Sequence, residues 1–495
     1  MQSGTNYDSQ KLIDVVLAFS GETKYEKLLD IILTKMMELT NSDAGTLYLA
    51  EEKKLHFCII KNTTLGISQS ADDVIDLPPI ALDEENIESI SAYAAINDEI
   101  IVVDDVYECK RFNFAGPKNY DKITGYRTRS MLVLPLTRYW NDKAEVLGVI
   151  QLLNALDPDT GEVVPYGDIY NPPTIPALAN IASNTLGNNM HLKDIRLLLQ
   201  SFAAVMARAI DERSKYNSNH TQKVTNLCVA FAKYLTARFP EEHQYNFDDK
   251  RLDELSMAAM LHDIGKIVTP LNIMDKADRL GARLPAVLYR FEIKKYQLEN
   301  DALKGIITNE DYIVQNKTLQ DALELIETAT IVDVLTEAQL SEVKHLAKLT
   351  YKNSSGETVP LLDPEDMEAL SIMYGTLTDD ERDIMKEHVT VTGSLLDSIA
   401  FWKYYENVPR WARDHHEFLD GSGYPRGLGS ELLSIESCII TIMDIFEAIT
   451  ASDRPYKKAV PIDKTFSILT GMVGKGKLHG ELVELFIESG VWKNI

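Results

Sequence analysis

The chain has 495 residues, 45% of them apolar and 25% charged, with a net charge of −25. A length like this implies about two to four domains, and the apolar fraction suits a globular protein with more than one buried core. The negative balance excludes a general affinity for DNA or anionic membrane surfaces, while leaving room for a local basic site that takes a small phosphate ligand.

Cys58, Cys109, Cys228 and Cys438 are scattered, with no C-x-x-C pair. Neither a disulfide framework nor a thiolate zinc site is expected, and a reducing cytoplasm is the simplest setting. The opening MQSGTNYDSQ has no signal-peptide pattern. No uninterrupted apolar run reaches about 18 residues, so no membrane span is expected.

In chain order, YEKLLDIILTKMMEL reads as an amphipathic helix, with Leu28, Ile31, Ile32 and Lys35 along one flank. Short strand-like runs follow: AGTLYLAE, KLHFCIIKN, EIIVVDDV, SMLVLPLTRYW and VLGVIQLLNA. Helices beside such a sheet give an α+β domain. The prolines of YNPPTIP mark a break, after which the pattern is helical nearly to the end. The stretch 177–212 reads as one long helix, or as two with a weak point at Gly187. It is either a connector that also pairs with a second copy or an ordinary buried helix.

LHDIGKI carries the first chemical signal. Leu255, Ala258, Ala259 and His262 share one helix face, so the histidine points into an apolar interior, with Asp263 beside it. A buried histidine–aspartate pair is costly unless a positive charge compensates it, and a divalent metal does so. His220 precedes another apolar helix, and Asp444 sits in the almost wholly apolar IITIMDIFEAIT. The order His220, His262–Asp263, Asp444 resembles the HD metal-dependent phosphohydrolase superfamily, whose ligands come from different helices of an α-helical core.

GKIVTP, GTLTDDERDIMKEHVTVTGSLL, HHEFLDGSGYPRGL and SDRPYKKA, in that order over about residues 210–475, resemble the HD-GYP subgroup. That resemblance implies a phosphodiesterase of cyclic dinucleotides, mainly cyclic di-GMP, giving linear pGpG or GMP. It implies metal ligands at His220, His262, Asp263, His388, His415, His416 and Asp444. Histidine nitrogen and carboxylate oxygen suit iron or manganese and also accept zinc. Asp263 would bridge two ions about 3.5–4 Å apart, and with Lys266 it is the expected catalytic pair. Substrate contacts are implied at Lys266, Arg454 and Lys457, through phosphate. Gly423, Tyr424 and Pro425 would shape the pocket wall. Some members use a glutamate four residues before the first histidine to hold a third metal. Tyr216 stands there, so two ions are expected rather than three.

Asp263 and His388 lie 125 positions apart (388 − 263), far more than the subgroup's usual spacing. The excess, about 276–375, is helical in pattern. Leu319, Ala322, Leu323 and Ile326 share a face, as do Leu340, Val343 and Ala347, and FEIKKYQLENDALKG reads as a helical hairpin. A lid, a dimer contact and simple packing on the core all remain open.

LTNSDAGTLYLAEE, TGYRTRSMLVLPL and VLGVIQLLNA resemble GAF domains, α+β modules that bind small molecules or serve as dimer scaffolds. Asn154 is followed by Ala155, unlike the pattern of cyclic-nucleotide-binding members, so an unknown small ligand or a structural role ranks first. Cys58 and Cys109 read as ordinary thiols rather than redox groups.

The expectation is therefore a multidomain cytoplasmic homodimer. It has an α+β GAF domain with an antiparallel sheet over 8–190, a helical linker over 191–215, and an all-α HD-type domain over 216–495 with a helical insertion. Two alternatives stay open: a hydrolase for another substrate, such as cyclic GMP-AMP or a nucleotide monoester, and a receptor that binds a cyclic dinucleotide without cleaving it.

Overall fold

The computed structural model describes residues 13–494 apart from 20, 23, 72, 74, 141–142, 170–173, 215–218, 402 and 452–459. The chain divides into two compact units, residues 1–198 and 199–495.

The first unit is built on an antiparallel sheet. Its strands are β1 (Ser42–Glu51), β2 (Lys54–Asn62), β3 (Ile67–Gln69), β4 (Ile80–Ala81), β5 (Ile101–Val103), β6 (Met131–Trp140), β7 (Lys143–Leu156) and β8 (Val163–Val164). The order across it is β3-β2-β1-β7-β6-β5, with β4 beside β2 and β8 beside β7. Alternation along β6 explains the two layers. Leu132, Leu134 and Leu136 point to one face, covered by Leu28, Ile32 and Met36 of α1 (Tyr25–Leu39). Met131 and Val133 point to the other, covered by Ile90 and Ala94 of α2 (Ile90–Asn97) and by Phe112 and Phe114.

The sequence left the stretch around Gly187 as one helix or two. It is one: α3 runs unbroken over Thr174–Asp211.

The second unit is helical around a core of its own. α4 (His220–Arg238) contributes Val224, Leu227, Cys228 and Phe231 to that core, and α5 (Asp249–Leu261) contributes Leu255, Ala258 and Ala259. The apolar run that flanks Asp444 forms α6 (Ile435–Thr450) and contributes Ile439, Ile440, Met443 and Phe446. Two further helices matter for the site, α7 (Asp379–Asp397) and α8 (Val408–Arg413).

Between Asp263 and His388 the chain makes a separate apolar cluster that includes Val287, Phe291, Leu298, Leu319, Ile326, Val343 and Leu370. FEIKKYQLENDALKG is not itself a hairpin. It lies mostly in one helix, Leu284–Leu303, and the turn follows it before the partner helix Asn309–Ile331. The insertion also holds a β-hairpin, Thr350–Lys352 paired with Thr358–Pro360, so the second unit is not wholly α. Arg279, fully buried, ties the insertion together by donating to the carbonyls of Ala329, Val332 and Ile372. Among the described residues no helix is long and apolar enough to cross a membrane.

Candidate metal centre

His220 is the first residue of α4, and His262 follows directly on the last residue of α5. The helix does not continue through Asp263. The backbone tightens into a 3-10 turn over Ile264–Val268, which swings the aspartate to the same side as the histidine. Gly265 permits this turn to press against α7: a Cβ there would lie 1.9 Å from the carbonyl oxygen of His388. Thr392 locks the contact, donating to the carbonyl of His262 at 3.0 Å and accepting from the Gly265 N–H at 2.9 Å. His388 sits within α7, His415 and His416 follow the short α8, and Asp444 lies within α6.

These elements bring the ligand-type residues of the second unit together. The Oδ2 atom of Asp263 lies 3.5 Å from His220 Nε2 and 3.3 Å from His262 Nε2. Its Oδ1 atom lies 3.3 Å from His388 Nε2 and 3.8 Å from His415 Nε2. The aspartate thus presents one oxygen to each of two groups. Asp444 offers Oδ1 to His220 Nε2 at 3.2 Å and Oδ2 to His416 Nδ1 at 3.9 Å. The groups His220–His262–Asp444 and His388–His415–His416 each place their ligand atoms within 4.8 Å of one another.

The tautomers follow from the outer hydrogen bonds. His262, His388 and His415 each set Nδ1 on the backbone carbonyl three residues back, of Ala259, Met385 and Ala412. A carbonyl only accepts, so each Nδ1 carries the proton and each Nε2 offers a lone pair inward. Those Nε2 atoms and Asp263 Oδ1 are buried without a hydrogen-bond partner. Leaving such atoms unpaired costs about 1–3 kcal/mol each. Converging lone pairs on buried nitrogen and oxygen fit a bound cation, and the donor set suits a divalent transition metal.

The local electrostatics agree. Burial alone would raise the Asp263 carboxyl, but Lys266 and the neighbouring histidines hold it well below the usual carboxylate range. Burial lowers His416 to about 4 and holds His415 well below its ordinary value, so both are neutral donors. His220 differs: burial would lower it, yet Asp263, Asp444 and Glu447 raise it well above its ordinary value.

Lys266 places Nζ 2.5 Å from Asp263 Oδ2, at the edge of the group. Gly423 packs so closely that a Cβ would lie 2.5 Å from Glu417 Cα, and the ring of Tyr424 rests 4.8 Å from that of His416. Pro425 is exposed. Tyr216, Arg454 and Lys457 lie outside the described residues.

Two buried carboxylates escaped the sequence reading. Glu447 sets Oε2 2.6 Å from His220 Nδ1. Its signal was a second acid one turn after Asp444 in an apolar helix. Glu417 accepts the backbone N–H groups of Arg426 and Leu428 at 2.7 and 2.9 Å, fixing the loop that follows the paired histidines. Its place directly after them was the available clue.

Family models match this chain in three segments: a GAF domain over residues 24–167 and an HD domain over 217–346 and again over 360–482. A GAF domain and an HD domain share this chain. The break between the HD segments falls within the insertion. The HD match and the clustered histidines and aspartates together make this a metal-dependent type of site.

Among curated proteins, the 3'3'-cGAMP-specific phosphodiesterase 1 of Vibrio cholerae is 38% identical over 291 residues, 59% of this chain and 42% of that protein. The 3'3'-cGAMP-specific phosphodiesterase 3 of the same organism is 40% identical over 95 residues, 19% of this chain and 20% of that protein. A cyclic di-GMP phosphodiesterase of Thermotoga maritima is 37% identical over 115 residues, 23% of this chain and 30% of that protein. The chain thus spans less than half the length of each of these relatives.

Proposed function

We propose that this GAF–HD chain is a metal-dependent phosphodiesterase that hydrolyses cyclic di-GMP to linear pGpG or GMP, under control of its GAF domain. The observation that carries the reading is the convergence of unpaired, buried Nε2 atoms on an aspartate that faces both histidine groups. Two ions, iron or manganese, would be held by His220, His262, Asp263 and Asp444 on one side and by Asp263, His388, His415 and His416 on the other. When bound they would supply an activated water and offset charge on the phosphate.

The chain's own residues account for the rest. Asp263 aligns the two groups. Lys266, at their edge, is assigned to a phosphate oxygen, as are Arg454 and Lys457. Gly423, Tyr424 and Pro425 line the approach, with Tyr424 buttressing His416.

The 38% identical Vibrio cholerae relative favours a second substrate on the same chemistry, 3'3'-cGAMP. A homodimer is supported by Leu192, Ile195, Leu199, Phe202 and Met206 of α3. They repeat at alternating spacings of three and four and are at least 40% exposed, as in one strand of a coiled coil. A small-molecule input is supported by a cavity of about 510 Å³ in the GAF unit, lined in part by Thr34, Lys61, Asn62 and Ser68. A cytoplasmic setting is supported by four free cysteines.

The test is turnover. Protein prepared without oxygen and loaded with iron or manganese is incubated with cyclic di-GMP and, separately, with 3'3'-cGAMP, and the products are separated. Linear dinucleotide or mononucleotide from cyclic di-GMP supports the first reading. Products from 3'3'-cGAMP alone support the second, and no product from either with any metal rejects both.

A further inference from the structure

We infer that Glu447 is a positioning residue for His220 and that it makes the two ligand groups unequal: the ion held by His220, His262 and Asp444 is bound more tightly than the one held by His388, His415 and His416. This rests on the metal-site reading above.

The asymmetry begins in the backbone. His262, His388 and His415 each find a carbonyl three residues back to accept Nδ1–H. His220 opens its helix, and Asn219 before it is left-handed, with φ 69°. The acceptor comes instead from another helix: Glu447 of α6, 4% exposed, at 2.6 Å.

A carbonyl is neutral and a carboxylate is not. The charged acceptor makes the stronger hydrogen bond and raises the basicity of the inner nitrogen, which strengthens its bond to a metal. Neither His388 nor His415 has this help, since their outer nitrogens are on carbonyls. Lys223, one turn along from His220, sets Nζ 3.3 Å from the other oxygen of Glu447 and so draws on the same carboxylate.

The test counts metal rather than product. Full-length protein loaded with Mn²⁺ is dialysed against rising chelator, metal per chain is measured by mass spectrometry, and circular dichroism on the same samples reports folding. Wild type should release its ions in two steps. Glu447→Gln keeps the shape and a neutral acceptor. It should lose the tighter step at roughly 10–100-fold lower chelator, so that the two steps merge. Lys223→Gln removes the cation that competes for Glu447 and should hold the tighter ion at least as firmly as wild type.

Single-step release from wild type, an unchanged Glu447→Gln profile, or equal weakening by Lys223→Gln would overturn the inference. If Glu447→Gln does not fold, the wild-type and Lys223→Gln profiles still decide. No metal uptake would overturn the site reading as well. Two-step release without turnover would overturn only the proposed substrates.

Discussion

Asp263 turns one carboxylate oxygen toward each of the two histidine groups, at 3.3 Å from His262 and 3.3 Å from His388. Asp263→Asn keeps the shape but halves the acceptor capacity and removes the charge. We expect the proposed phosphodiesterase activity to fall by about a hundredfold, with metal per chain reduced in the same preparation. Gly423→Ala tests the loop from the other side. Its new methyl meets backbone atoms of His416, Glu417 and Phe418 within 2.6 Å. The strain should cost roughly 1–3 kcal/mol and lower activity by displacing His416, as thermal melts and turnover would show. His262, Asp263 and Asp444 were legible one residue at a time, because a histidine or aspartate buried in an apolar run is costly unless a partner compensates it. His388, His415 and His416 were implied only by the HD-GYP resemblance. Thr392, inside α7, was not legible, and Glu417 was signalled only by its place after the paired histidines. Their importance comes from backbone groups that only the folded chain brings to them.

At the scale of elements, α3 (Thr174–Asp211) makes the proposed homodimer testable. Ile195→Glu with Phe202→Glu alters two side chains exposed by 53% and 59%, so the fold should survive. Sedimentation should then show monomers where wild type is dimeric; a double variant that stays dimeric would place the contact elsewhere.

The helix Gly480–Ser489 yields a pH prediction. His479 caps it by accepting the Leu482 N–H on Nδ1 at 3.4 Å, which only the neutral ring can do. Burial holds the pKa of His479 below its ordinary value, against the pull of Glu481. The unfolded chain therefore takes up the proton first. The contribution is whole above the unfolded value of about 6.5 and is lost as the pH falls from there through the lower folded value. Urea melts at about pH 7.5 and 5.5 should show a larger loss for wild type than for His479→Asn, whose amide caps at both.

The elements themselves were well signalled where period and burial agree, as along β6. The sequence could not choose at Gly187, where a helix-weakening residue sits in a stretch held together by packing. There a Cβ would lie 2.8 Å from the Arg138 side chain, so glycine permits close packing rather than a break.

For the molecule as a whole, the insertion is the feature that spacing revealed and pattern could not resolve. Its apolar cluster is distinct from the one beneath the clustered histidines and aspartates. Phe291→Ala should therefore cost about 3–5 kcal/mol, felt inside the insertion. Hydrogen exchange should quicken there, while protection of α4 and α6 and the metal count stay as in wild type. The periodicity gave the helices but not the hairpin at Thr350–Pro360, whose strands are only three residues each and too short to show alternation.

The insertion also leaves the chain close to where it enters: the Thr376 hydroxyl lies 3.1 Å from the carbonyl of Lys276, and the Lys276 ammonium is 2.6 Å from Glu381 on the helix that bears His388. Closing a loop grows costlier only slowly with its length. A hundred residues entering and leaving by one doorway therefore need not disturb what lies beyond it. Such a doorway is a place where evolution can lodge, exchange or discard a module while the chemistry stays still, and where a search keyed to the distance between motifs would pass this protein by.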